Sequence, residues 1–176
     1  MSNIDIIVAI DEKAIYDHNQ YTNDFNKPAL VDSKYIHVLT YAGNGVAVTD
    51  NSGKELKLSS INSGDNIRWK IISLSPVDVH YYTILTSVVP DNHDLYTQYI
   101  DRTVNKIQSN KMPVADGYGG IDIKDVTEHY WLNVVKKSVP SAPQVIRLSY
   151  VGNFILYRED VVLGYCRWKH NLTLSN

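Results

Sequence analysis

Six histidines, one cysteine and three tryptophans are the side chains whose chemistry could bind or transform another molecule. His18, His37, His80, His93, His129 and His170 show neither two-ligand spacing on one helix nor pairing with cysteine, which tetrahedral zinc sites display, so no metal is expected. His80 near Asp78 and His129 after Glu128 could meet only through folding, and lone histidines of this kind are more often satisfied structural residues than ligands. Nucleophilic catalysis would need a serine on a strained elbow or an activated cysteine. No Gly-x-Ser-x-Gly pattern occurs, and Cys166 sits between Tyr165 and Arg167 in an apolar run, where a buried structural thiol is expected. Trp69, Trp131 and Trp168 could each stack on a sugar ring, yet tryptophan in a strand is mostly core; Trp131 is the speculative ligand-stacking residue of the three.

Two loop patterns imitate cofactor sites. Gly43, Asn44 and Gly45 follow an apolar run as a dinucleotide loop would, but Val46, Val48 and Thr49 come next and continue a strand rather than open a helix. The pyrophosphate would then lack its helix N-terminus, so no dinucleotide cofactor is expected. Asp50, Ser52 and Lys54 imitate alternating calcium-loop positions, but a lysine at the fifth position repels the cation.

The elements that must position these residues are strands. Ile4–Ile10 is a β-branched run closed by Asp11 and Glu12, and reads as a buried first strand. Residues 16–34 are rich in turn formers and read as a long surface loop. Tyr35–Tyr41 alternates with period two. Val46–Thr49 and Glu55–Leu58 flank a turn at 50–53, which predicts a hairpin. Ile67–Leu74 and Tyr81–Val89 follow as strands, whereas Tyr96–Gln108 fits a helix face as well as a strand. Pro113–Gly120 reads as a loop, Tyr130–Val135 as a short strand and Pro140–Pro143 as a break. Val145–Tyr157 and Val161–Trp168 form a closing hairpin, with Gly152 and Asn153 placed as a bulge would be.

These strands predict an all-β fold: an antiparallel β-sandwich, jelly-roll-like, with at most one or two short helices. The 176 residues suit a single domain spanning 1–176, and no repeat or low-complexity segment divides them. Seventeen basic against nineteen acidic side chains leave a net charge of −2, too little for broad attraction to nucleic acid or anionic membranes, while weak charge eases self-association. The single cysteine and the absence of a leader-like or membrane-length apolar stretch predict a cytoplasmic protein.

The opening strand ending in Asp11, and the segment Gly64, Asp65, Asn66, Ile67, Arg68, Trp69 with Ser73, Leu74 and Ser75, carry a resemblance to a known family. Together with the terminal Gly164, Tyr165, x, x, Trp168 they are similar to the bacterial PixA/AidA inclusion body proteins, most strongly before residue 76. Residues 80–140 carry little of the likeness. The family usually places Asp and Pro after the last tryptophan, where Lys169 and His170 stand here, and PixA is methionine-rich whereas this chain has only Met1 and Met112. A methionine-storage role is therefore not expected.

The resemblance implies a non-enzymatic, self-associating inclusion body protein, regulated by stationary phase or quorum sensing and host-associated. Its partner would be itself, as a homo-oligomer or crystalline assembly. The alternative is a lectin-like sandwich binding a carbohydrate or small ligand. No cofactor is implied. Turn geometry at Gly64 and Asp65, core filling by Trp69 and the hydrogen-bonding fork of Arg68 give the signature residues structural explanations.

Overall fold

The structure is a computed structural model that describes residues 1–42, 47–51, 55–75, 80–91, 97–115, 120–137, 139 and 145–175. Eleven strands are named among them: β1 Asn3–Ile10, β2 Ala29–Leu30, β3 Ile36–Ala42, β4 Ala47–Asn51, β5 Glu55–Ser59, β6 Asn66–Ser73, β7 Tyr81–Pro90, β8 Val104–Ala115, β9 Ile121–Val134, β10 Ile146–Arg158 and β11 Val161–Leu174. A short helix, α1 Glu12–Asp17, a 3-10 turn at Ser33–Tyr35 and a helical stretch at 97–99 accompany them.

The strands form two sheets. The first runs β3-β1-β6-β9-β8, and the second runs β4-β5-β11-β10-β7 with β2 added beside β11. Their inner faces share one core. Ile4, Ile6, Val8 and Ile10 of β1 meet Tyr150, Phe154 and Leu156 of β10 and Cys166, Trp168 and Leu172 of β11 in that core. Across the gap the Trp69 and Tyr150 rings meet, with centroids 4.7 Å apart.

The all-β, two-sheet expectation holds, and most pairings are antiparallel. Three are not: β1 with β6, β11 with β2 and β11 with β5 are parallel, so both sheets are mixed. A parallel neighbour needs a long crossover between its strands, a relation that local patterning does not reveal. Here β1 and β6 are joined through six intervening elements that include part of the other sheet.

Local expectations fare unevenly. β4 and β5 pair antiparallel as the predicted hairpin, although Ser52 and Gly53 of its turn lie outside the described residues, as do the loop at Gly43–Gly45, Asp78, His93 and the break at 140–143. The surface loop at 16–34 needs correction. It contains the end of α1, a Thr22–Tyr165 bridge, β2 and the 3-10 turn, so it borders β11 as partial edge cover. The ambiguous 96–108 segment proves to be both alternatives in succession: 97–99 are helical, Ile100 bridges Val135, and β8 begins at Val104.

Two further corrections concern one hairpin. The expected loop at 113–120 is strand as far as Ala115, and the short strand expected at 130–135 is the end of a 14-residue β9. Pro113 is tolerated because β8 lies at a sheet edge, where the missing N–H breaks no ladder. The bulge expected in β10 at Gly152 and Asn153 lies in its neighbour instead: Asn153 pairs with Ser87 and Phe154 with Leu85, which leaves Thr86 of β7 as the extra residue. Gly152 itself pairs with Trp168, whose indole covers it so closely that a β-carbon there would overlap the ring.

Candidate functional site

Parallel pairing of β1 with β6 brings most of the signature residues together. Gly64 occupies the left-handed region at φ +90, which a side chain would strain, and its N–H donates to Val135 O at 2.7 Å. This tight turn aims Asp65 inward, where it is 2 % exposed. One carboxylate oxygen accepts the Ser2 N–H at 2.6 Å and the other the Asn62 N–H at 2.9 Å. Asp65 thus ties the start of β1 to the start of β6.

Arg68 stands opposite Asp5 in that register and donates from Nη2 to Asp5 Oδ2 at 2.6 Å. Its guanidinium also lies over the Tyr130 ring, at 5.8 Å from the centroid. The hydrogen-bonding fork of Arg68 is thus used on a carboxylate of the next strand. Trp69 is fully buried, and its indole N–H donates to Asn133 Oδ1 at 3.0 Å.

At the other end of the same strand pair lies a group that the sequence did not single out. Asp11 caps α1 by accepting the Ala14 N–H at 2.9 Å, which turns Glu12 into the molecule as the first helical residue. Glu12 is 0 % exposed. Its Oε2 accepts the hydroxyls of Ser73 and Ser75, both at 2.9 Å, and its Oε1 accepts that of Thr83 at 3.2 Å. Burial pushes its carboxyl above the usual value of 4.5, and a bond from its own backbone N–H together with the hydroxyl bonds counters only part of that. A carboxylate beside serines could act as a base, but this one is closed to substrate and braces β6 against β7. Between the two serines, Leu74 is exposed and donates its N–H to Ile10 O at 2.8 Å. The clue in the sequence was the recurrence of short hydroxyl residues at 73 and 75, which meets an acid some sixty positions away only after β1 and β6 pair.

The remaining signature residues stand on β11. At Gly164 a β-carbon would come within 2.8 Å of Thr22 O, so glycine is what lets the 20s loop lie against the strand. Trp168 is 2 % exposed. Cys166 is fully buried, and burial pushes its thiol up to about 12. Native protein treated with a thiol reagent at pH 8 is expected to stay unlabelled until denaturant is added, as an absorbance assay would register.

Trp131 is half-buried in the wall of a cavity of about 700 Å³, which Val88 and Pro90 of β7 and Asp101, Arg102 and Lys136 also line. Its indole N–H is already engaged by Leu85 O at 3.2 Å, leaving the ring itself as its contribution. Lys136 bonds Asp101 at 3.0 Å across the rim. A second cleft, of about 450 Å³, lies between β7, β10 and the 25–28 loop, with Phe25 edge-on to Tyr165. Among the described residues no three His, Cys, Asp or Glu side chains converge as a metal site, and no helix is long and apolar enough to cross a membrane.

Comparison with known proteins accords with this geometry. A crystal structure of an inclusion body protein, PixA, from Burkholderia cenocepacia J2315 has the same fold, with a TM-score of 0.73 at 17 % identity over 98 % of this chain and 95 % of that one. No curated protein matches the sequence. The sequence model of the PixA family, described as inclusion body protein, matches residues 2–174. Since that match runs nearly from end to end, the chain belongs to the PixA inclusion body protein family.

Proposed function

We propose that this protein acts as one domain whose activity is assembly: a non-enzymatic protein that self-associates into cytoplasmic inclusions under stationary-phase or quorum-sensing control, in a host-associated bacterium. The observation that carries this reading is the state of the sheet edges. Neither sheet closes on itself, and the edge strands β3 and β8 expose large apolar side chains, with Leu39 54 %, Tyr41 72 % and Ile107 66 % exposed. Apolar side chains exposed at the margins of open sheets are surface that another chain can cover. A net charge of −2 offers little long-range repulsion against it.

The signature residues Asp11, Gly64, Asp65, Arg68, Trp69, Ser73, Leu74, Gly164 and Trp168 serve the fold in this reading. Eight of them cap a helix, shape a turn, pair across strands, fill the core or admit a close approach. Leu74 contributes through its backbone. Light scattering over rising concentration tests the proposal: the mean mass is expected to climb in a reversible, concentration-dependent way. A constant monomer mass up to about the millimolar range, where even weak contacts are populated, would end it.

A second reading is favoured by Trp131 alone. An indole in the wall of a 700 Å³ cavity suits stacking on a carbohydrate or another small ligand. Glycan-array binding that Trp131→Ala abolishes would select this reading over assembly.

A further inference from the structure

β8 and β9 pair over twelve positions, from Val104–Leu132 to Ala115–Ile121, but β6 accompanies β9 over only four, ending at Trp69–Trp131. From Tyr130 outward, β9 has a ladder partner on one side only. The hairpin therefore leaves the body as a two-stranded arm, roughly 30 Å long at the usual strand rise. Such ribbons are marginal in water unless a face is covered.

Alternation decides which face is bare. Residues in phase with Trp131, whose ring packs against the core, are His129, Thr127, Asp125 and Ile123 on β9, opposite Ile107, Ser109, Lys111 and Pro113 on β8. In the body this is the buried side of the sheet. On the arm every one of these residues is exposed, with Ile107 at 66 % and Ile123 at 64 %. The opposite face is the better covered, for Glu128 bonds Lys70 at 3.0 Å and Tyr130 lies under Arg68. The inner face of the first sheet thus continues past the point where the second sheet stops.

We infer that this bare face of the β8–β9 arm is a self-association surface, and that its occupant is the same face of a second copy. The inference rests on the assembly reading and names its contact. The pattern along the arm is apolar at both ends, with Ile107 near the base and Pro113 beside Ile123 near the tip, and polar between them. Two arms laid face to face and antiparallel about a two-fold axis place Ile107 of each copy on Ile123 and Pro113 of the other, as an isologous contact requires. Lys111 and Asp125 face each other across the ladder near the axis, so the surface is neutral and does not repel its twin. Edge-to-edge pairing of β8 is opposed by Lys106, Lys111 and Pro113, residues that blunt an exposed strand. An arm roughly 30 Å long and about 10 Å wide presents on the order of 300 Å², below the ~800 Å² per partner of a stable complex. It therefore acts in a dense phase and dissociates in dilute solution.

The test combines scattering with cross-linking. Ile107→Asp/Ile123→Asp, at positions too exposed to carry the fold, is expected to keep its far-ultraviolet spectrum and to raise the concentration needed for association at least about tenfold. Ser109→Cys is expected to be joined between copies by a bis-maleimide of about 10 Å, the spacing of stacked sheets. Tyr41→Cys, on the opposite edge, is not, and the native Cys166 is buried out of reach. If wild type associates while the double variant does so at the same concentration and Ser109→Cys gives no cross-link, the arm is not the contact and assembly by another surface stands. If wild type does not associate at all, the assembly reading fails first and takes the arm with it.

Discussion

Trp69→Ala is expected to lower stability by about 3–5 kcal/mol, the cost of truncating a fully buried aromatic. Trp69 belongs to β6 and packs on Tyr150 of β10 at 4.7 Å, so its ring is shared by both sheets rather than buried within one. The same substitution removes the donor to Asn133 Oδ1. Asn133 holds the chain leading into β8, its Nδ2 donating to Asp101 O at 3.0 Å and Thr103 Oγ1 at 2.8 Å. A loss of this size is a large share of the ~5–15 kcal/mol that stabilises a typical domain. Urea titration followed by circular dichroism reads it directly, with a midpoint shift and an unchanged slope. Trp69→Phe, which keeps most of the ring and loses the N–H, is expected to cost much less. A midpoint unmoved by Trp69→Ala would mean that the two sheets do not share this side chain.

How much of this was legible beforehand follows from what each segment buries. β1 and β10 are buried on alternate or successive positions, so their patterns name them, and Trp69 and Trp168 were placed in the core from strand context alone. β9 was cut short because its outer half is wet on both faces. Asp122, Lys124, Asp125, Thr127 and His129 are all exposed there, and without a buried side there is no alternation to read. The parallel neighbours were missed for a different reason, since register between β1 and β6 is settled by packing across the whole sheet. Trp131 shows where pattern ends and geometry begins. Its pairing opposite Trp69 and its place in a cavity wall depend on where β7 comes to lie.

Glu12 illustrates the same limit and carries the second large effect. In sequence it is one acidic residue at the close of a strand, yet folding places it where hydroxyls from β6, from Ser75 two residues past its end and from β7 converge. Glu12→Ala withdraws one acceptor from three donors at once. At about 1 kcal/mol for each hydrogen bond lost in a part-buried setting, a destabilisation of about 3 kcal/mol is expected. The wild-type carboxyl also makes stability depend on pH. Its folded-state pKa is raised above the ordinary 4.5 by burial, so the native state holds the proton more tightly than the unfolded chain does. Its contribution is then complete below about pH 4.5, the unfolded value, and is lost as pH rises through the folded value. Stability should therefore fall as pH rises above about 4.5, with a component that Glu12→Gln removes, since the amide keeps the shape and cannot ionise. The two variants separate packing from charge: alanine should be weaker than wild type across the range, while glutamine should lose only the slope. If the glutamine variant kept the wild-type dependence on pH, the titrating group would lie elsewhere, and Glu12 would be a brace between sheets without electrostatic consequence.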